Sequence, residues 1–146
     1  MSYWDTSCLV KLYTPEADSE IFADILAGGD RCVTCDLAPL EFWATVRRKE
    51  SEGVLAAGEA QLVQTAFEGD VARGSFRMQP CDVEVRLRFH EIVNRCHGAE
   101  PPIFIRTNDA LHLAAAGCAG ETKIIATDKR LREAAVFLGF QIFPGL

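Results

Sequence analysis

Residues 123–143 read KIIATDKRLREAAVFLGFQIF, and the reading of this stretch decides the fold. Lys123 to Thr127 is a short apolar run with β-branched residues, the pattern of a buried strand. Asp128 stands where a helix cap would, and KRLREAAVFL follows it as a helix. Gly139 stops that helix and FQIF forms another strand. A strand, a helix and a second strand make a βαβ unit, whose strands run parallel.

The same alternation extends back to the N-terminus. Ser2 to Asp5 reads as a short strand, and Ser7 to Tyr13 as a short helix capped by Thr6 or Ser7. Thr14, Pro15 and Glu16 mark a helix start, with Ile21, Phe22, Ile25 and Leu26 on one face and Gly28-Gly29 at its end. Arg31 to Cys35 is a second strand, after which Asp36 caps a helix running to Gly53. A further helix is expected over 56–72, and FRMQP is a weak third strand. Asp82 opens a helix with Val85, Phe89, Ile92, Val93 and Cys96 on one face. The prolines keep EPPIFI extended, and Thr107 caps the helix NDALHLAAAGCA. The fold class is α/β, with a mostly parallel sheet covered on both faces. No repeat or linker interrupts the chain, so residues 1–146 are expected to form one domain.

Composition narrows the function. Hydrophobic residues are 49% and charged residues 25%, the balance of a globular chain. No apolar run approaches the roughly 18 residues that span a bilayer, and no secretory leader is visible, so a cytoplasmic protein without membrane contact is expected. The six cysteines are then expected to be reduced. Cys32-Val-Thr-Cys35 has the spacing of half a zinc site, but on a strand residues three apart point to opposite faces, and no second ligand pair follows. The net charge of −6 excludes a protein that coats nucleic acid by bulk charge, while leaving local phosphate contacts open.

Four carboxylates carry the chemistry. In such sheets the site lies beyond the carboxyl ends of the strands. Asp5 and Asp128 stand at predicted strand ends, Asp109 in a first helical turn, and Glu41 in the second turn of the helix after strand two. Taken singly, Asp109 and Asp128 are ordinary caps, since first-turn acids are favoured by about 0.3–1 kcal/mol. Glu41 is harder to dismiss, because a charge within PLEFW is expensive to bury unless paired or bound to a cation. Converging carboxylates raise one another's pKa unless something positive sits among them. A hard cation such as Mg²⁺ would serve, and hydrolysis of a phosphodiester by water is the reaction class it favours.

Four ordered segments, WDTSCLVKLYTPE, LEFWATVRRK, RTNDALHLAAA and IATDKRL, resemble the signature segments of the PIN-domain ribonucleases, especially the VapC-like toxins of bacterial toxin-antitoxin pairs. The resemblance runs from Ser2 to about Phe143. It implies a three-layer α/β/α fold with a central sheet of four to five strands. It also implies that Asp5, Glu41, Asp109 and Asp128 are the acidic metal-binding and catalytic set, supported by Thr6 and Thr127. Further implications are Mg²⁺ or Mn²⁺ as cofactor, RNA as substrate, a homodimer, and an antitoxin that inhibits the enzyme. Many relatives have leucine before the third acid, where this chain has Asn108.

The remaining polar residues divide less sharply. Arg106 and Lys129 are the best candidates for RNA phosphate contacts among basic residues that include Lys11, Arg47, Arg48, Lys49 and Arg130, and such contacts would make RNA affinity fall with salt. His112 shares a helix face with Asp109 and reads as a packed or supporting histidine more readily than as a ligand or base. Tyr3, Trp4, Phe42 and Trp43 read as packing residues. Two alternatives remain at this level: a non-catalytic RNA-binding or scaffold module, and a phosphotransferase with Asp5 as nucleophile. The first would be marked by loss of an acid, and none is missing. The second generally shows a second acid two residues on, where this chain has Ser7.

Overall fold

A computed structural model describes residues 1–145. Its strands are β1 (Ser2–Trp4), β2 (Cys32–Cys35), β3 (Arg77–Gln79), β4 (Lys123–Ile125) and β5 (Gln141–Phe143). Its helices are α1 (Thr6–Tyr13), α2 (Ser19–Ala27), α3 (Ala38–Ser51), α4 (Glu59–Ala72), α5 (Val83–His97), α6 (Thr107–Cys118) and α7 (Lys129–Phe137). The five strands form one sheet in the order β3-β2-β1-β4-β5, and every pairing is parallel. Strands β4 and β5 flank α7 as the 123–143 stretch requires, with Ile124 opposite Ile142.

Alternation along the strands splits the core in two. Tyr3, Val33, Cys35 and Ile124 face a cluster shared with α5, α6 and α7. Trp4, Cys32 and Ile125 face the opposite cluster, shared with α1, α2, α3 and α4. The result is three layers with the sheet in the middle. Cys32 and Cys35 lie in different clusters, so they cannot ligate one ion together, and all six cysteines are free thiols. Alanines at 114, 115 and 116 are fully buried and let α6 sit close to the sheet.

Several boundaries differ from the sequence expectation, each for a local reason. The Asp36 side chain caps no helix: it accepts from the Cys81 amide at 3.1 and 3.2 Å, tying two loops together, and α3 starts after Leu37. Thr107 is the first residue of α6 and not its cap, which is Arg106. Asp5 is the cap residue of α1 in place of Thr6 or Ser7, and it makes no side-chain cap bond. β4 ends at Ile125, two residues before Thr127, and α2 and α4 each begin about one turn later than expected. Asp82 and Asp128 do cap their helices, accepting from Val85 N and from Arg130 N and Leu131 N.

Candidate active site

The carboxyl ends of β1, β2 and β4 open toward the starts of α1, α3, α6 and α7. Asp5 follows β1 directly, and its amide donates to the Ile125 carbonyl at 3.0 Å, which pins it between β1 and β4. The residue is only 8% exposed, and its carboxylate accepts from the Ser7 hydroxyl. An acid at a helix start that bonds no helix amide is not acting as a cap.

Glu41 lies in the first turn of α3, nearer the helix start than the sequence placed it. Its Oε1 accepts from Thr6 Oγ1 at 2.8 Å and meets His112 Nε2 at 2.5 Å, while Asn108 Nδ2 approaches Oε2 at 3.3 Å. Asn108 therefore acquires a partner that the sequence did not supply. On α6, Asp109 is buried and accepts from Arg106 Nε at 2.7 Å. The same guanidinium reaches Asp128 Oδ2 at 3.2 Å, while Asp128 Oδ1 is spent on capping α7. Asp128 is thus a cap and also a member of the acidic cluster.

The electrostatics follow from this layout. Burial raises the pKa of Asp5, His112 and Ser7 oppose that, and the charges of Glu41 and Asp109 push it further up. Burial also works against charge on Glu41, but the His112 hydrogen bond and charge, with Thr6 and Asn108, hold its pKa below the usual value. For His112 burial again opposes charge, and its bonds to Cys35 and Glu41 and the nearby Asp5 outweigh it and raise the pKa. Arg106 is held protonated by Asp109 and Asp128. Glu41, Arg106, Thr107, Asn108 and Asp109 line a cleft of about 360 Å³.

The structure places the predicted residues unevenly. Asp5, Glu41 and Asp109 come from three elements to one end of the sheet, and Asp128 joins them through Arg106. Thr6 touches Glu41 directly, whereas half-buried Thr127 lies near the Cys8 thiol. Lys129 is exposed at the start of α7, and Arg106 is engaged by two acids. As the side chains stand, no three His, Cys, Asp or Glu groups among the described residues are gathered closely enough to hold one ion. The donor chemistry nonetheless fits a hard divalent cation: oxygen ligands, more negative charge than His112 and Arg106 offset, and a solvent-open cleft. Sequence reading missed Tyr3, whose hydroxyl lies 2.8 Å from His112 Nδ1, and Cys35, whose sulfur lies 3.7 Å from the same atom. Their only signal was their place on strands beside the acids.

The PIN domain profile matches residues 2–136. The chain belongs to the PIN domain family. Over 152 aligned residues it is 30% identical to "Ribonuclease VapC35" of Mycobacterium tuberculosis, covering 99% of this chain and 98% of that one. Its fold is similar to that of VapC20 of M. tuberculosis, described as a sarcin-ricin loop cleaving toxin, with TM-score 0.69 and 16% identity over 92% of this chain and 95% of that one. It is likewise similar to VapBC2 of Rickettsia felis bound to a DNA fragment from its promoter, with TM-score 0.67 and 11% identity over 97% of each chain. At such identities these structural likenesses concern the fold alone. The PIN match takes in all four acids.

Proposed function

We propose that the chain is a divalent-metal-dependent endoribonuclease and the toxin of a toxin-antitoxin pair. One observation carries the reading: Asp5, Glu41 and Asp109 arrive from three separate elements at one end of the sheet, Glu41 and Asp109 lining an open cleft and buried Asp5 near enough for their charges to raise its pKa. The similarity to a relative named as a ribonuclease, over nearly the full length of both chains, supports the reaction class.

Asp5, Glu41 and Asp109 would hold the cation, Mg²⁺ or Mn²⁺, with Asp128 at the edge of the set. Bound there, such an ion acidifies a water and offsets charge developing on a phosphodiester. The protein's own groups prepare the site. Ser7 orients Asp5, and Thr6 with His112 holds Glu41 ionised. Arg106, with its side chain 54% exposed, and exposed Lys129 stand where an RNA backbone entering the cleft would meet them. Asp5 is a poor nucleophile for phosphoryl transfer, because it is buried and one oxygen is bonded to Ser7. An antitoxin partner, a homodimer and a cytoplasmic setting belong to the same reading. Exposed Leu40 and Trp43, on α3 with Glu41, offer apolar surface for such a partner, and no described helix is long and apolar enough to cross a membrane.

The test is cleavage of mixed cellular RNA by the purified chain in Mg²⁺, in Mn²⁺ and in EDTA, with Asp109→Asn alongside. Cleavage that needs the cation and disappears in the folded variant is the expected result. Cleavage that persists in EDTA or in Asp109→Asn would overturn the assignment.

A further inference from the structure

His112 is 1% exposed, and both of its ring nitrogens have partners. Nε2 meets Glu41 Oε1 at 2.5 Å and lies 3.5 Å from Thr6 Oγ1. On the far side of the ring, the Tyr3 hydroxyl is 2.8 Å from Nδ1. Tyr3 is itself fully buried, and its ring meets the imidazole edge-on at 5.8 Å. Phenylalanine would fill the same volume without burying a hydroxyl, and a buried hydroxyl is costly unless it is bonded. Tyr3 spends that hydroxyl on His112.

We propose that Tyr3 and His112 are positioning residues that lock the Glu41 carboxylate, so that Oε1 is saturated from the protein interior and Oε2 alone is presented to the cleft. The assignment rests on the cation-binding reading above and adds to it which oxygen acts and what holds it there.

Glu41 Oε1 accepts from the Thr6 hydroxyl, so Nε2, which meets the same oxygen, is assigned a hydrogen whether or not the ring is charged. Oε1 then accepts two bonds, from Thr6 on α1 and from His112 on α6, which fixes the plane of a carboxylate carried by a flexible side chain. Oε2 has only the longer Asn108 contact at 3.3 Å and keeps lone pairs for an ion. Orientation of the imidazole in turn depends on Nδ1. Without the tyrosine hydroxyl its remaining neighbour is the Cys35 sulfur at 3.7 Å, a weak partner that cannot hold the ring as firmly. Tyr3 and His112 are 109 positions apart in the chain but adjacent across the β1–α6 interface.

The experiment is Mn²⁺ titration of the RNA-free protein, followed by electron paramagnetic resonance, with thermal unfolding in EDTA as the measure of fold. Parent, Tyr3→Phe, His112→Gln, His112→Leu and Glu41→Gln are compared. Loss of an outer hydrogen bond to a ligand typically lowers metal affinity about 10- to 100-fold. Tyr3→Phe is expected to unfold near the parent temperature yet bind Mn²⁺ about 10-fold more weakly. His112→Leu should lose the most, and His112→Gln, which retains a donor, should recover part of the loss. Mn²⁺ affinity unchanged in Tyr3→Phe and both His112 variants, while Glu41→Gln binds weakly, would overturn the positioning role alone. Unchanged affinity in Glu41→Gln would overturn the cation reading beneath it and the positioning role together.

Discussion

Asp5 and Glu41 stand at the same end of the sheet with opposite effects on stability. A carboxyl whose pKa rises on folding destabilises the protein once pH exceeds its unfolded value, because the native state then holds a charge it disfavours. Asp5 is in that position, chiefly through burial. Glu41 has a lowered pKa, so its ionised form adds stability above the ordinary carboxylate range, and that stability is lost as pH falls through the folded value. Asp5→Asn in EDTA at pH 7 should therefore unfold at a higher temperature than the parent, and Glu41→Gln at a lower one. Both should lose RNA cleavage by about 100-fold or more, as expected when a group that organises transition-state charge is removed. Differential scanning calorimetry of the two variants decides the signs, and a matching shift in both would contradict the electrostatic account. The acids were legible as residues because charge inside apolar runs such as PLEFW needs a reason. Their partners were not: periodicity assigns a residue to a face, and nothing in it says that the Tyr3 face meets the His112 face.

Helices and strands were legible in number and order, since their periods of 3.6 and 2 are written locally. Their ends were less so. Several polar residues sit near each helix start, and which one caps depends on an amide whose position only the folded loop fixes. Asp82 bonds Val85 N at 3.1 Å, so Asp82→Ala should destabilise by about 1 kcal/mol in urea unfolding. Thr107 looks equally cap-like in sequence, yet α6 has no side-chain cap and Thr107 is exposed in its first turn. Thr107→Ala should fall within about 0.5 kcal/mol of the parent, as surface substitutions usually do. Asp36 is a third case, because its two bonds to the Cys81 amide join the loops after β2 and β3. Substitution there should loosen the connection to β3 and leave α3 intact, which amide hydrogen exchange at Cys81 would report.

Across the whole molecule the proposed function requires an acidic protein to hold a polyanion. Lys11 pairs with Glu16 and Asp18, Lys49 with Glu16 at 2.6 Å, Arg47 with Glu50, and Arg73 with Asp70. Those cations are already answered by neighbouring acids and add little field. Lys129 and Arg130, exposed at the start of α7, have no ion pair among the described residues, and Arg106 lies between them and the cleft. A single strand releases counterions with a slope of about −0.7 per neutralised phosphate. Three contacts then give a log–log salt slope of about −2, gentler than a count of basic residues in the sequence implies, because Lys11, Arg47, Lys49 and Arg73 are paired with neighbouring acids. Fluorescence anisotropy of a labelled single-stranded RNA on Asp109→Asn, from about 50 to 200 mM salt, measures it, and Lys129→Ala should flatten the slope by about 0.7. A slope near −5 would mean that RNA lies along a surface other than the α7 start. If Lys129→Ala leaves the slope unchanged, the α7 start is not part of the RNA path. The expected value ties a property of the whole charge distribution to three side chains gathered at one end of the sheet.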